Sequence, residues 1–247
     1  MNEEYIGNRD TGSPILSNVS KEQLRQIILD YGAHVCGFAD IDRFEDAPRG
    51  FHPCDIYSEC KSIIVFGVAL PKGLYMVDSR FIYGHFNSDI CNKVDEVAYK
   101  IAILIEKEYG GTSVPIPADG PYEYWDTELL EGRGLLSIKH TAVQAGIGTL
   151  GKNTLFLNKI YGNRLTLGCV LTNVIVNSDT YAEPLCLPDC YECIENCPSK
   201  ALHIGEVKQK ECRVNAYGTS KQGFDTVDCN RCRTICPMRF GESAVQK

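Results

Sequence analysis

The stretch CLPDCYECIENCPS at residues 186–199 holds four cysteines, and a proline directly follows the last of them. The stretch DCNRCRTICP at 228–237 repeats the ending Cys-x2-Cys-x3-Cys-Pro, and Cys212 lies between the two. Cysteines this closely spaced can reach three corners of an iron–sulfur cubane from one tight loop, whereas the fourth corner has to come from elsewhere in the chain. Two such stretches, each with one further cysteine, predict two [4Fe–4S] clusters.

The two stretches are expected to exchange their last cysteines. In bacterial ferredoxins the cysteine before the proline binds the other cluster. Applied here, this rule assigns one cluster to Cys186, Cys190, Cys193 and Cys236, and the other to Cys197, Cys212, Cys229 and Cys232. Three residues instead of two separate the first pair of cysteines, and a one-residue bulge at 187–189 would absorb the difference. A zinc site is the alternative, because Cys-x2-Cys pairs also bind Zn²⁺.

The composition bounds the class of protein. Of the 247 residues, 44% are hydrophobic and 23% charged, which is ordinary for a globular protein. No apolar run reaches the ~18–20 residues of a membrane helix, and the start, MNEEY, lacks the basic and apolar regions of a secretion signal. We therefore expect a cytoplasmic protein, in which clustered cysteines are metal ligands. The formal net charge of −7 argues against a nucleic-acid binder, whose affinity comes from neutralised phosphates.

Five of the 13 cysteines lie outside this constellation. Cys36, Cys91 and Cys169 have apolar neighbours in sequence, and free cysteine often acts as a small buried hydrophobe. We predict that role for these three. Cys54 and Cys60 lie in a stretch that reads as a loop, and their role is left open.

Residues 1–179 are predicted to form an α/β domain and residues 180–247 a small ferredoxin-like domain with the two clusters. Apolar, β-rich runs at 62–70 and 164–176 are typical of buried strands. Apolar residues recur at helical spacing over 88–109, where Ser88 or Asp89 could cap a helix. From Thr180 onward this periodicity fades and cysteine dominates, which places the boundary there.

Residues 146–154, GIGTLGKNT, form a glycine-rich loop with several interpretations. Its Gly-x-Gly-x-x-Gly spacing matches a dinucleotide-binding motif, but that motif follows a strand and opens a helix, and here the order is reversed. It also resembles a Walker A loop, except that Asn153 replaces the Ser or Thr that binds Mg²⁺. A helix C-cap followed by a glycine turn is the simplest interpretation. The remaining one is a loop whose bare backbone approaches a bulky cofactor.

The glycine loop, the strand-like segment RLTLGCVLTN at 164–173 and the two cysteine stretches together resemble the epoxyqueuosine reductase family. Reductive dehalogenases are similar over the same part of the chain, roughly 135–240. The resemblance implies an α+β fold, with a nitroreductase-like core of the cobalamin-binding type followed by a ferredoxin-like domain. It further implies that the clusters pass electrons to cobalt and that Co(I) performs a reduction.

By the same resemblance, the glycine loop would lie against the cofactor. The cofactor-binding residues implied are Gly146, Gly148, Gly151, Lys152 and Asn153. Cobalamin is the cofactor expected, and flavin is the alternative because a nitroreductase-like core also suits flavin. An external donor such as a ferredoxin or flavodoxin would supply the electrons.

Two departures from the family bear on the reaction. Epoxyqueuosine reductases carry a catalytic aspartate in an Asp-Thr-x-Pro motif, and this chain has no such motif before its glycine loop. Glu131, Arg133 and His140 are the candidates to supply protons in its place. The family also continues into a helical-repeat domain that helps hold tRNA, whereas this chain ends eleven residues after Cys236. With the negative charge, this argues against tRNA as a substrate.

Three functions are therefore open at the level of sequence. The first is a cobalamin-dependent reductase of a small molecule or modified base, whose substrate the aromatic loop at 122–125 could cover. The second is an electron-transfer protein that delivers electrons to a partner protein and has no substrate chemistry of its own. The third is a reductase that uses flavin.

Overall fold

The computed structural model describes residues 18–242, so the first 17 residues of the predicted N-terminal domain lie outside it. The helices are α1 (Asn18–Asp30), α2 (Pro53–Ile56), α3 (Arg80–Tyr109), α4 (Ile138–Gln144), α5 (Glu192–Glu195), α6 (Gln209–Ala216) and α7 (Arg231–Thr234). The strands are β1 (Val35–Asp40), β2 (Ser62–Ala69), β3 (Ser113–Ile116), β4 (Tyr124–Asp126), β5 (Glu131–Arg133), β6 (Thr149–Leu150), β7 (Phe156–Leu157), β8 (Leu165–Thr172), β9 (Leu202–His203), β10 (Glu206–Val207), β11 (Tyr217–Thr219) and β12 (Asp225–Val227).

A four-stranded antiparallel sheet organises the first part of the chain. Its strands lie in the order β1-β2-β8-β3. The two central strands pair along their whole length, from Ser62 opposite Thr172 to Ala69 opposite Leu165. Helices pack on both faces of this sheet, which confirms the α+β class.

The strands β2 and β8 are buried on both faces, as their continuous apolar sequences predict. Side chains alternate between the faces along a strand. Ile64 and Phe66 belong to the apolar core that includes residues of α1 and α3. Ile63 and Val65 belong to the core on the other side, with residues of α4. The central strands are therefore fixed in register, because a one-residue slip would exchange the two cores.

The sequence pattern predicts that the long helix α3 begins near Ser88. In the structure it begins earlier, at Arg80. The Ser79 side chain caps it by accepting a hydrogen bond from the backbone N–H of Ile82 at 3.3 Å. Phe81, Ile82 and Phe86 are more than 40% exposed, so no apolar stripe marks these first turns. The helix ends as predicted at Gly110, whose φ of 64° is the left-handed conformation of a helix C-cap.

Residues 185–242 consist of short elements around two small groups of buried side chains. One group joins Leu185 and Met238 to Leu157, which lies beside the glycine loop. The other contains Ala201 and Leu202 together with cysteines. The β11–β12 hairpin packs on α3, with the backbone nitrogen of Val227 3.1 Å from where a Cβ on Gly84 would lie. Within residues 18–242, no helix has both the length and the apolar character needed to cross a bilayer.

Candidate metal centre and adjoining cleft

A small cavity, here called the cysteine cavity, lies between the two cysteine stretches and the glycine loop. Its lining includes the four residues Cys186, Cys190, Cys193 and Cys236. These are the four cysteines that the exchange between the two stretches assigns to one cluster. Residues 151–153 of the glycine loop line the same cavity. The fold thus brings a distant cysteine to three that are close in sequence.

The remaining four cysteines of the constellation also lie close to one another. Cys197, Cys212 and Cys232 share the apolar group around Ala201 and Leu202. Burial raises the pKa of the Cys232 thiol to about 11, with the charges of Cys212 and Cys229 acting in the same direction. The structure therefore groups the cysteines as Cys197, Cys212, Cys229 and Cys232 on this side, which is the second predicted set.

Burial, and after it the charges of neighbouring thiols, raises the pKa of two thiols in the cysteine cavity, those of Cys193 and Cys236. The pKa of Cys236 is raised to about 11, first by burial and then by the charges of Cys193, Cys186 and Cys190. Only thiolates bind metal, so a group bound here would have to displace these protons with its own positive charge.

Two glycines of the loop, Gly146 and Gly148, lie where a side chain would collide with neighbouring backbone. Gly146 follows α4 with a φ of 72°, and a Cβ there would lie 2.1 Å from the backbone oxygen of Thr180. A Cβ on Gly148 would lie 2.1 Å from the backbone oxygen of Leu157. Protein packing thus accounts for these two glycines, as the helix C-cap interpretation predicts, and neither lines the cysteine cavity or the larger cleft described below.

Lys152 ties the glycine loop to the first cysteine stretch. Its Nζ donates hydrogen bonds to the backbone oxygens of Leu187 and Pro188, at 2.7 and 2.6 Å. The same ammonium lies 4.7 Å from the centroid of the Tyr191 ring. The backbone oxygen of Lys152 accepts a hydrogen bond from the N–H of Gly205 at 2.8 Å. Lys152 therefore holds in place the segment between Cys186 and Cys190, where the sequence departs from the ferredoxin spacing.

A large cleft of about 660 Å³, here called the cleft, opens beside the sheet. Its apolar wall comes mainly from β3, β8 and the start of α4. Its polar and ionisable lining comes from Asn87, Asp119, Tyr122, Glu123, Ser137, Lys139, Asn163, Thr166, Tyr217 and Arg233. A mainly apolar pocket of ~300–1,000 Å³ with a few polar groups is typical of a small-molecule or cofactor site.

Lys139 and Arg233 place positive charge along the cleft. Lys139 is half-buried and its Nζ donates a hydrogen bond to the backbone oxygen of Thr154 at 3.0 Å. Burial lowers the pKa of Lys139, and the charge of Arg233 lowers it further. Arg233 directly follows Cys232 on α7, so the cleft reaches the short helix that carries one cysteine of the second set.

The three predicted proton donors do not line the cleft. Glu131 and Arg133 lie on β5, where they form an ion pair at 3.5 Å, and the side chain of Arg133 is 65% exposed. His140 is exposed on α4, with its Nδ1 2.7 Å from the Ser137 hydroxyl. The acidic side chains in the cleft are Asp119 and Glu123, which come from the preceding loop. The sequence could not distinguish them, because nothing in its pattern shows which side of a loop faces a cavity.

The β4–β5 hairpin is fastened to α6, the helix that carries Cys212. The Gln209 side chain exchanges two hydrogen bonds with the backbone of Gly132, at 3.0 and 3.2 Å. The Arg213 guanidinium lies 5.2 Å from the Trp125 ring centroid, and Trp125 stacks on Tyr122 at 5.8 Å. Of the aromatic loop, Tyr122 lines the cleft, whereas Trp125 is 45% exposed. These hydrogen bonds and ring contacts thus connect α6, which carries Cys212 of the second set, to Tyr122 in the wall of the cleft.

The other free cysteines divide into buried and partly buried ones. Cys36 and Cys169 are buried in the core, as predicted, and burial raises the pKa of both thiols. Cys60 is also buried, whereas Cys54 is partly buried. Cys91 is only partly buried and lines the cleft, so it is less enclosed than its sequence indicated.

The chain is similar in sequence to proteins named epoxyqueuosine reductase. One from Bacillus anthracis is 33% identical over 266 residues, which covers 89% of this chain and 66% of that protein. One from Lactococcus garvieae is 25% identical over 260 residues, which covers 90% of this chain and 70% of that protein. The chain thus spans about two thirds of the length of these curated relatives. No protein-family model matches it.

Solved structures of two kinds of enzyme share the fold. An epoxyqueuosine reductase from Streptococcus thermophilus has a TM-score of 0.60 at 22% identity, covering 90% of this chain and 66% of that one. A catabolic reductive dehalogenase has a TM-score of 0.67 at 15% identity, covering 91% of this chain and 33% of that one. An epoxyqueuosine reductase of this fold has also been solved with an epoxyqueuosine-modified tRNA-Tyr stem loop. The sequence matches and the shared fold together identify this chain as a relative of the epoxyqueuosine reductases, as its sequence resemblance predicted.

Proposed function

We propose that this protein is an iron–sulfur oxidoreductase in which two [4Fe–4S] clusters pass electrons to a cobalamin that reduces a bound substrate. The observation that carries the proposal is the cysteine cavity, where Cys236 joins Cys186, Cys190 and Cys193 beside the glycine loop. The cleft supplies a second site, and its lining includes Arg233, the residue that follows Cys232. The known reductase relatives support the assignment as an oxidoreductase.

Two cubanes account for the cysteine pattern better than zinc does. Cys-x2-Cys pairs alone would also suit Zn²⁺. The two Cys-x2-Cys-x3-Cys-Pro endings, each with one further cysteine, match the two-cluster ferredoxin arrangement in addition. The ligands proposed are Cys186, Cys190, Cys193 and Cys236 for one cluster and Cys197, Cys212, Cys229 and Cys232 for the other.

The cleft is the proposed site of a flat cofactor with polar substituents. It is open at one side and lined by both an apolar wall and polar side chains, and one buried amide oxygen in its lining has no donor among the described residues. Bound there, a cobalamin would supply a strongly reducing metal. Of the residues that the resemblance implied, Gly151, Lys152 and Asn153 are proposed to act at the cluster side, because they line the cysteine cavity.

The charged residues of the cleft have separable roles. Asp119 and Glu123 are placed to hold a proton beside a bound substrate, a role for which Glu131, Arg133 and His140 lie outside the lining. Lys139 and Arg233 would balance negative charge that builds up during a reduction. Tyr122 and Tyr217 close part of the lining and would keep water from the reacting atoms.

The substrate proposed is a small molecule or a modified base. Since a relative of this fold binds a modified tRNA stem loop, tRNA has to be included among the substrates tested, despite the net charge of −7. An external ferredoxin or flavodoxin remains the proposed electron donor.

The test is anaerobic reconstitution with iron, sulfide and a corrinoid, followed by gel filtration. We expect about eight iron and eight sulfide per chain, and corrin absorption bands that co-elute with the protein and shift on reduction. About four iron per chain would refute the two-cluster assignment. A protein that keeps both clusters but binds flavin and no corrinoid would be a flavin reductase, and one that binds neither would be an electron-transfer protein.

A further inference from the structure

The amide oxygen of Asn163 is a buried hydrogen-bond acceptor without a donor in the described part of the chain. Asn163 is 1% exposed and lines the cleft just before β8 begins. Buried polar atoms of side chains are nearly always paired with protein or water, so an unpaired one calls for a partner that the chain does not supply. The position of Asn163 in the cleft makes a bound ligand the candidate partner.

The orientation of this amide is fixed by its other end. The Asn163 Nδ2 donates a hydrogen bond to the backbone oxygen of Arg233 at 3.0 Å. A flipped amide would set two oxygens against each other there, so Oδ1 has to be the free atom. The backbone oxygen of Asn163 accepts hydrogen bonds from the Arg233 guanidinium at 2.8 Å and from the Tyr75 hydroxyl at 3.2 Å.

The segment that carries Asn163 has little freedom to move away. A Cβ on the preceding Gly162 would lie 2.2 Å from the backbone oxygen of Met238, because the two segments are pressed together. Gly162 also exchanges two backbone hydrogen bonds with Asn158, at 2.8 and 2.9 Å. The acceptor is therefore held in advance of any ligand, which is how a binding group is made selective.

We propose that Oδ1 of Asn163 accepts a hydrogen bond from a peripheral carboxamide of a corrinoid bound in the cleft. This inference rests on the proposed function and adds to it a residue that recognises the amide form of the cofactor. A corrinoid carries primary carboxamides around the rim of its ring, and each offers N–H donors. Asn163 is therefore proposed to favour a corrin ring whose substituents carry N–H donors over a ring whose substituents can only accept hydrogen bonds.

The experiment compares two corrinoids that share a ring and differ in their substituents. Cobinamide carries carboxamides, whereas cobyrinic acid heptamethyl ester carries esters without N–H groups. Dissociation constants are measured by absorbance for the reconstituted wild-type protein and for Asn163→Leu. We expect the variant to bind cobinamide about tenfold more weakly, the effect of one hydrogen bond, and to bind the ester as the wild type does.

Asn173→Leu is the matched control. Asn173 lies outside the lining of the cleft, and its Oδ1 already accepts a hydrogen bond from the backbone N–H of Thr112 at 2.8 Å. Its replacement is expected to leave the ratio of the two dissociation constants unchanged. Iron content and melting temperature of each variant show whether the clusters and the fold are retained.

The outcomes separate the inference from the function on which it rests. If Asn163→Leu binds both corrinoids as the wild type does, water supplies the donor and the inference is wrong. If it loses both equally, Asn163 is only structural and the inference is wrong again, while corrinoid binding by the wild type stands. If the wild-type protein binds neither corrinoid, the cobalamin function itself fails and the inference fails with it.

Discussion

Cys236 is the residue on which the pairing between the two cysteine stretches depends. It lies directly before Pro237, at the start of a short 3-10 helix, and faces the cavity lined by the three cysteines of the first stretch. Burial, and after it the charges of neighbouring thiols, raises its pKa to about 11. A bound metal cluster would reverse this balance, since it stabilises the thiolate.

Replacing Cys236 with alanine should halve the iron content, from about eight to about four per chain. The cluster lost should be the one assigned to the first stretch. Adding Cys190→Ala to this variant should then remove no further iron, whereas adding Cys229→Ala should remove the rest. Iron analysis after anaerobic reconstitution measures both.

Cys54→Ala is the control for these variants. Cys54 is partly buried, and its thiol contacts the backbone oxygen of Cys60 at 3.7 Å, away from both cysteine sets. It should keep all of its iron. If Cys190→Ala removes a further cluster from the Cys236→Ala protein, the proposed exchange of cysteines is wrong.

Lys152→Met should make the cluster of the cysteine cavity more labile. The change removes two hydrogen bonds from an ammonium to the backbone oxygens of Leu187 and Pro188. These bonds are partly exposed to water, so the loss in stability should be modest, about 1 kcal/mol. The measurement is the rate at which a chelator bleaches the iron–sulfur absorbance.

Lys159→Met is the matched control for that change. The side chain of Lys159 is 73% exposed and pairs with Glu242 at 3.6 Å, and Lys159 is not part of the lining of the cysteine cavity. Its bleaching rate should equal that of the wild type. Equal rates for both variants would show that Lys152 has no part in holding the loop.

At the scale of elements, two helices end in the same way but in different surroundings. Gly110 after α3 and Gly146 after α4 have φ values of 64° and 72°. An added Cβ would meet nothing within 4 Å at Gly110, whereas at Gly146 it would lie 2.1 Å from the Thr180 backbone oxygen. The first glycine is required by backbone conformation alone, and the second also by packing.

Alanine at these two positions should therefore have unequal effects. Both variants lose about 1–2 kcal/mol from the left-handed backbone, and Gly146→Ala should lose roughly 2 kcal/mol more because its neighbour is backbone. The extra loss corresponds to ~4–8 °C in melting temperature at this chain length. Equal melting temperatures for the two variants would mean that the segment at Thr180 yields without cost.

The elements predicted correctly from sequence are those whose own residues form a recognisable pattern, without reference to the rest of the fold. The continuous apolar run of β2 and the glycine after α3 mark their own structures. The sequence pattern places the start of α3 near Ser88, because the exposed apolar residues Phe81 and Phe86 break the apolar periodicity of its first turns. The lining of the cleft could not be predicted, since Asp119 and Arg233 meet there only through tertiary structure.

At the scale of the whole molecule, the sheet and its helices share a large apolar core, whereas the cysteine-rich part has only a small apolar core. The sheet and the helices on its faces bury most of the apolar side chains. Residues 185–242 bury few: their buried apolar residues are Leu185, Cys197, Ala201, Leu202, Ala216 and Met238. We expect a segment with so small a core to depend on the proposed clusters for its order.

Removal of iron should therefore unfold the cysteine-rich part and spare the sheet. After anaerobic chelation, backbone amides of 185–240 should lose hydrogen-exchange protection, while those of β2 and β8 keep theirs. The central strands serve as the internal control because both are buried on two faces. Uniform loss of protection along the chain would instead show that the two parts unfold as one unit.

The stacked ring of Trp125 gives the molecule a built-in optical reporter. It is the only tryptophan of the sequence, and it lies against Tyr122, a residue of the cleft wall, and 5.2 Å from Arg213 of α6. A coloured group bound nearby, whether a cluster or a cofactor, would take up its excitation by resonance energy transfer. The intrinsic fluorescence of the purified protein should therefore fall first as the clusters assemble and again as a coloured molecule enters the cleft.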